Sequence, residues 1–169
     1  MSVLVFIDQS EGNIKKTSFE AASYGAKLAE QLGTTAEGIV LGSVTGDVAE
    51  LGNYGLKKVY TVADAALNSF DAQVFTKVIA QAAANADVIV FSNSTTGKAV
   101  APRLSVKLKA GLVSGAVALP DISNGFTVKK TVFSGKAFAN ISVTTAKKII
   151  ALNPNSFNII TTGGTAAVE

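Results

Sequence analysis

Residues 86–115, ADVIVFSNSTTGKAVAPRLSVKLKAGLVSG, decide the fold. Val88-Ile89-Val90-Phe91 is a continuous apolar run too short for a helix, and such runs belong to parallel strands covered by helices on both faces. The stretch reads as a buried strand over 87–91, a turn of small hydroxyl residues over 92–97, a helix over 98–108 and a second strand opening at Gly111. Ser94, Thr95, Thr96 and Gly97 suit the start of that helix, because hydroxyls satisfy and glycine tolerates the unpaired N–H groups of a first turn. With a start near Ala99, Pro102 falls at or just past the first turn, where it forfeits little. Val100, Leu104 and Leu108 form one stripe that can lie on a sheet, with Arg103 and Lys107 on an adjacent one. Lys107 and Lys109 suit the negative end of the helix dipole, and Gly111 supplies the exit turn.

The same alternation extends outward. A second apolar run, residues 2–7, ends in the turn formers Asp8-Gln9-Ser10-Glu11-Gly12-Asn13. Phe19, Ala22, Tyr24, Ala26, Leu28, Ala29 and Leu32 give residues 17–32 a broad helical face, closed by Gly33, and residues 35–41 form the next strand. Residues 42–55 are a glycine-rich loop with one or two helical turns, and residues 58–62 a third strand. Asp71 caps a helix over 72–85 whose buried side is Val74, Val78 and Ala82 with Phe75 and Ile79. Strands alternating with helices imply parallel pairing through right-handed crossovers, hence an α/β, Rossmann-like three-layer sandwich with strand order 3-2-1-4-5.

After the fifth strand the pattern changes. Residues 126–133, 137–144 and 147–152 are short β-branched runs parted by Asn124-Gly125, Ser134-Gly135 and Thr145-Ala146, with no helix-length segment between them. They are expected as antiparallel strands added at the C-terminal end of the sheet. The small, polar residues 161–169 read as a linker remnant after a single domain over 1–160.

Composition narrows the function. A chain of 169 residues, 48% apolar and 16% charged, fits one ordered domain, and no apolar run approaches the ~18 residues a membrane span needs. MSVLVFIDQ lacks a basic leader, so a soluble, cytoplasmic protein with no membrane insertion is expected. Histidine and cysteine are both absent, which removes thiol nucleophiles, disulfides, zinc sites with N or S ligands and every Ser-His arrangement. Asp8, Asp64, Asp71 and Asp87 sit at strand ends or helix starts, where capping accounts for them. Residues 1–87 carry ten acidic and six basic side chains; residues 88–169 carry two and nine, so the second half presents a basic surface. One arginine, no tryptophan and no aromatic interleaving of the lysines argue against nucleic acid as the partner.

A ligand in such a sheet belongs outside the carboxyl ends of the strands where their order reverses, here between the loops 9–13 and 93–97. Thr96, Gly97 and Lys98 at the helix start are an anion site in principle. The turn lacks the glycine spacing of a phosphate-cradling loop, so capping is the favoured reading. A nucleotide-binding module of the universal-stress type is the alternative, although it would want glycines after its fourth strand that this chain does not have.

Five groups of residues occur in order: Glu11-Gly12 with Ser18-x-Glu20 and Lys27-Leu28-Ala29; Lys58-Val59 leading to Val62-Ala63-Asp64; Thr96-Gly97-Lys98-Ala99-Val100-Ala101-Pro102-Arg103-Leu104 with Gly111-Leu112-Val113-Ser114; Phe133-Ser134-Gly135-Lys136-Ala137; and Asn153-Pro154-Asn155-Ser156-Phe157. Together they resemble the N-terminal domain of the electron transfer flavoprotein alpha subunit over nearly the whole chain. Lys98, Ala99, Gly115, Lys136 and Asn153 depart from that pattern, standing where the family has arginine, an acid, aspartate, asparagine and arginine.

The resemblance implies a non-catalytic scaffold and subunit-interface domain of a heterodimeric electron carrier, not an enzyme. The carrier passes electrons from flavin dehydrogenases to an acceptor, with a beta subunit as partner. It implies FAD in the full-length protein, held mostly by a C-terminal domain absent here, and no cofactor in this fragment; in that family the AMP site belongs to the beta subunit. Phe133, Phe138 and Phe157 on the late strands, with Lys136 beside them, form the expected interface patch. Arg103 either forks onto a carboxylate across that interface or extends over its helix with its stem packed.

Overall fold

A computed structural model describes residues 2–169. In chain order its elements are β1 (Val3–Ile7), a small hairpin of β2 (Gln9–Ser10) and β3 (Asn13–Ile14), α1 (Lys16–Gln31), β4 (Ala36–Leu41), β5 (Lys58–Val62), α2 (Ala72–Ala82), β6 (Val88–Ser92), α3 (Thr95–Leu108), β7 (Gly111–Ala116), β8 (Thr127–Val132), β9 (Ala137–Ser142), β10 (Lys148–Leu152) and β11 (Ala167–Val168). One mixed sheet runs β11-β5-β4-β1-β6-β10-β7-β8-β9, parallel except at β8 and β9. Side chains alternate across it. Val5, Val88, Val90 and Ile150 meet α1 residues such as Tyr24 and Leu28 on one face, while Phe6, Ile89, Phe91 and Ile149 meet α2 and α3 residues such as Ile79 and Leu104 on the other. This is the expected three-layer α/β sandwich. No helix among the described residues is long and apolar enough to cross a membrane.

The strand order differs from 3-2-1-4-5 in one respect. β10 enters between β6 and β7, parallel to both, instead of joining β8 and β9 as an antiparallel edge strand. Its burial explains why: Ile149, Ile150, Ala151 and Leu152 are all hidden, the continuous apolar signature of a strand covered on both faces. Only the β8–β9 hairpin lies outboard as an antiparallel addition, and the chain returns from it into the sheet interior.

Two helices differ in detail from the sequence reading. α3 starts at Thr95 with Ser94 as its cap, its Oγ accepting from the Gly97 N–H at 3.2 Å, so Pro102 lies inside the helix rather than in its first turn. There it withholds one backbone hydrogen bond on the exposed side. The early start brings the helix against the end of β6: a Cβ on Gly97 would stand 2.0 Å from the Ser92 carbonyl oxygen, so only glycine fits. Asp71 caps α2 as expected, accepting from Gln73 and Val74, but Val74 is 42% exposed because the buried stripe runs through Phe75, Thr76, Ile79 and Ala80.

Residues 161–169, expected as a linker remnant, instead pack on the domain. Gly163 N donates to Asn53 Oδ1 at 2.7 Å, Ala166 N to the Ala49 carbonyl at 2.9 Å, and β11 pairs with β5. Glu169 closes the strap on Lys58 at 2.9 Å, and that hydrogen bond, more than the accompanying charge attraction, raises the lysine pKa. The strap crosses directly over Gly52, where a Cβ would stand 2.1 Å from Ala166 N and from the Thr165 carbonyl carbon. Backbone cannot swing aside as a side-chain end can, so Gly52→Ala should release the strap, β11 included, with the rest of the sheet intact. Hydrogen exchange should show residues 162–169 losing protection while β1 and β6 keep theirs.

Tyr24 of α1 is fully buried, its hydroxyl donating to the Ala118 carbonyl at 2.9 Å and its ring edge-on to Phe157. Burial pushes its pKa well above the ordinary value. Unfolded tyrosine titrates near ~10, so the stability gained from keeping Tyr24 protonated is complete below that pH and lost as pH rises toward the folded value. In an alkaline titration, Tyr24 should form tyrosinate only as far-UV dichroism is lost, and Tyr24→Phe should delete that late step.

Candidate subunit interface

β1 and β6 lie side by side, and the crevice at their carboxyl ends is the place a doubly wound sheet offers a ligand. Asp8 closes it. Its buried carboxylate accepts from Lys15 Nζ at 2.9 Å and from Ser94 Oγ at 3.0 Å, which sets a negative side chain against the cap of α3. Ser18 Oγ donates to the Asp8 carbonyl at 2.8 Å and holds the loop down. Of the three anion candidates, Thr96 lines the remaining cavity of about 230 Å³, whereas Gly97 gives its N–H to Ser94 and Lys98 is exposed outside the lining. A phosphate here would meet the Asp8 and Glu11 carboxylates in the same small cavity. Lys15 lines the same cavity beside them, and Ser94 caps the start of α3.

Beside this crevice a second carboxylate has a role that periodicity did not reveal. Glu20 of α1 is buried and accepts backbone N–H groups from Asn155 at 3.0 Å, Ser156 at 2.8 Å and Phe157 at 2.9 Å, catching the loop that leaves β10. Three such bonds satisfy a charge that would otherwise be costly to bury. Next to this loop, Asn93 Nδ2 donates to Asn153 Oδ1 at 2.8 Å, and Asn153 Nδ2 to Thr131 Oγ1 at 3.0 Å, tying the ends of β6, β10 and β8 together.

The hairpin of β8 and β9 extends past the last helix. Phe133 at its turn is 79% exposed and Phe138 on β9 is 60% exposed. Phe133, Ser134 and Gly135 all take positive φ, so the tight tip turns the Phe133 ring out of the sheet. Lys136 is exposed beside it, and Lys129 Nζ lies 4.3 Å from the Phe138 ring centroid, a cation–π contact. Asp121, before β8, is held below the usual carboxylate range by the Ser123 hydroxyl and backbone N–H.

The structure thus gathers Phe133, Lys136 and Phe138 on one hairpin. It takes Phe157 out of that patch: the ring is half-buried against Tyr24, in a loop and not on a late strand. Arg103 stands apart on the outer face of α3, exposed, with no ion-pair partner among the described residues. Val106, 82% exposed, is on the same helix, and with Lys129 and Ile141 it is a surface residue the sequence reading passed over. Alternation along β8 held the signal for Lys129, whereas it sets Ile141 on the face of its buried partner Val128.

The family described as Electron transfer flavoprotein domain matches residues 3–169. The chain belongs to this family. It is 28% identical over 163 residues to the electron transfer flavoprotein subunit alpha of Bacillus subtilis (strain 168), covering 91% of this chain and 48% of that protein. It is 26% identical over 170 residues to the subunit alpha of Syntrophomonas wolfei subsp. wolfei, covering 97% and 51%. It is 32% identical over 115 residues to the acryloyl-CoA reductase electron transfer subunit beta of Anaerotignum propionicum, covering 66% and 31%. The chain spans about half the length of the alpha subunits it matches. The resemblance read from the motifs stands, and the universal-stress alternative finds no support.

Within an electron transfer flavoprotein domain, the Glu20 contact acquires meaning, because it joins two of the family-like stretches, Ser18-x-Glu20 and the segment from Asn153 to Phe157. Glu20→Gln keeps the shape but turns one acceptor into a donor facing a backbone N–H. The variant should lose about 1.5 to 3 kcal/mol, the range for a hydrogen bond to a charged group, read as a fall in urea midpoint at unchanged slope.

Proposed function

We propose that this chain is the non-catalytic scaffold and subunit-interface domain of a heterodimeric, FAD-containing electron carrier. The family match over residues 3–169 carries the reading, together with an aromatic, lysine-rimmed hairpin whose Phe133 and Phe138 nothing among the described residues covers. In the whole carrier, electrons pass from flavin dehydrogenases to an acceptor in the cytoplasm. A beta subunit docks on Phe133, Lys136 and Phe138, with Arg103 of α3 as a second point. Phe157 serves from behind, by packing the loop on Tyr24. The FAD implied by the family is held by the part of the relatives that this chain does not span, since the crevice here carries Asp8 where a pyrophosphate would go.

Two measurements test this. The purified chain should show no flavin absorbance; a stoichiometric yellow species would overturn the placement of the cofactor. Titration against the beta subunit should give a defined complex, weakened by about 1 to 3 kcal/mol in Arg103→Lys, which keeps the charge but loses the planar fork. Equal binding by wild type and Arg103→Lys at the same salt removes Arg103 from the interface.

A further inference from the structure

The β9 edge is unusual for an exposed strand. Thr127 exchanges both backbone bonds with Asp121, on the side away from β9, and Val143 N donates to the Phe126 carbonyl at 2.8 Å. With Thr127 opposite Ser142 in the register, this alternation turns the N–H and C=O groups of Ala139 and Ile141 toward β8 and those of Phe138, Asn140 and Ser142 outward. Nothing among the described residues pairs with that outer row. Natural edges are blunted by charge, proline, a bulge or a covering element. Residues 137–143, AFANISV, hold no charge and no proline, β9 pairs with β8 without a register shift, and its residues are largely exposed.

We propose that β9 is an acceptor edge, to which the partner subunit adds an extended segment bearing acidic side chains. This rests on the interface reading above and names the mode of docking. Main-chain bonds to Phe138, Asn140 and Ser142 supply affinity, and the Phe138 ring supplies a contact for alternate side chains of the added strand. Charge selects the occupant. From Ile122 to Val168 there are five lysines and no carboxylate side chain, and Lys129 already reaches across to the Phe138 ring on the edge strand. A second copy of this chain would bring the Lys129, Lys130 and Lys136 sets together without a counter-charge, whereas an acidic strand neutralises them.

Amide hydrogen exchange resolved to single residues, on the chain alone and in complex with the beta subunit, tests the proposal. Strand addition protects the amides of Phe138, Asn140 and Ser142 by at least about tenfold, while those of Ala139 and Ile141, already bonded to β8, change little. Asn140→Pro deletes one outward N–H without touching the ladder to β8, and should weaken the complex by about tenfold or more where Asn140→Ala does not. Affinity should fall as ionic strength rises. Protection confined to the side-chain patch, without alternation along β9, overturns strand addition and leaves the interface reading standing. A complex that leaves the whole hairpin unprotected, or no complex at all, overturns both. Self-association of the chain through β9, or affinity indifferent to salt, overturns the acidic partner.

Discussion

β10 sits in the middle of the sheet although it is the last long strand in the chain, and the rest of the structure depends on its being held there. Burial on both faces supplies the driving force: four consecutive apolar side chains, at about 1.5 to 3 kcal/mol for each large one, are removed from water between β6 and β7. Burial alone does not fix where the following loop goes. That is done by the Glu20 carboxylate, which takes three backbone N–H groups of residues 155–157 and so ties the exit of β10 to α1, on the opposite side of β1 from β5. With the exit fixed, Phe157 falls against Tyr24, and the chain is delivered across α1 to Gly52 and β5.

Legibility in the sequence followed the range of each signal. The β6–α3–β7 unit was readable because its signals are local: an apolar run, hydroxyl cap residues, a stripe at helical spacing. The Asp71 cap and the Gly33 exit were readable for the same reason, and the latter takes φ of +67°. The place of β10 was not, since Lys-Lys-Ile-Ile-Ala-Leu announces burial on both faces but says nothing of which neighbours provide it. The strap was missed because glycine, threonine and alanine look alike in a linker and in a slot. What distinguishes them is the missing Cβ at Gly52, more than a hundred residues earlier.

At the candidate site the same limit applies more sharply. Phe133 and Phe138 could be read as exposed only through their place on a hairpin with no helix over it, whereas Phe157 turns inward onto Tyr24 where Glu20 holds its backbone. Capping alone does not account for Asp8, whose partners show a wider job: by bonding both Lys15 and Ser94 it narrows the crevice between loops 9–13 and 93–97. The crevice of this Rossmann-like sheet is thus narrowed by its own side chains, while the outer edge at β9 pairs with no further strand among the described residues.

Two of the departures from the family pattern meet in space, and this bears on how that edge is supported. Gly115 on β7 and Asn153, just past the end of β10, lie close together, such that a Cβ at Gly115 would stand 3.6 Å from Asn153 Oδ1 and 3.8 Å from Thr131 Oγ1. The neutral Asn153 amide spans this gap, accepting from Asn93 and donating to Thr131 of β8. The root of the hairpin is thus tied to β6 and β10 through hydrogen bonds that carry no charge.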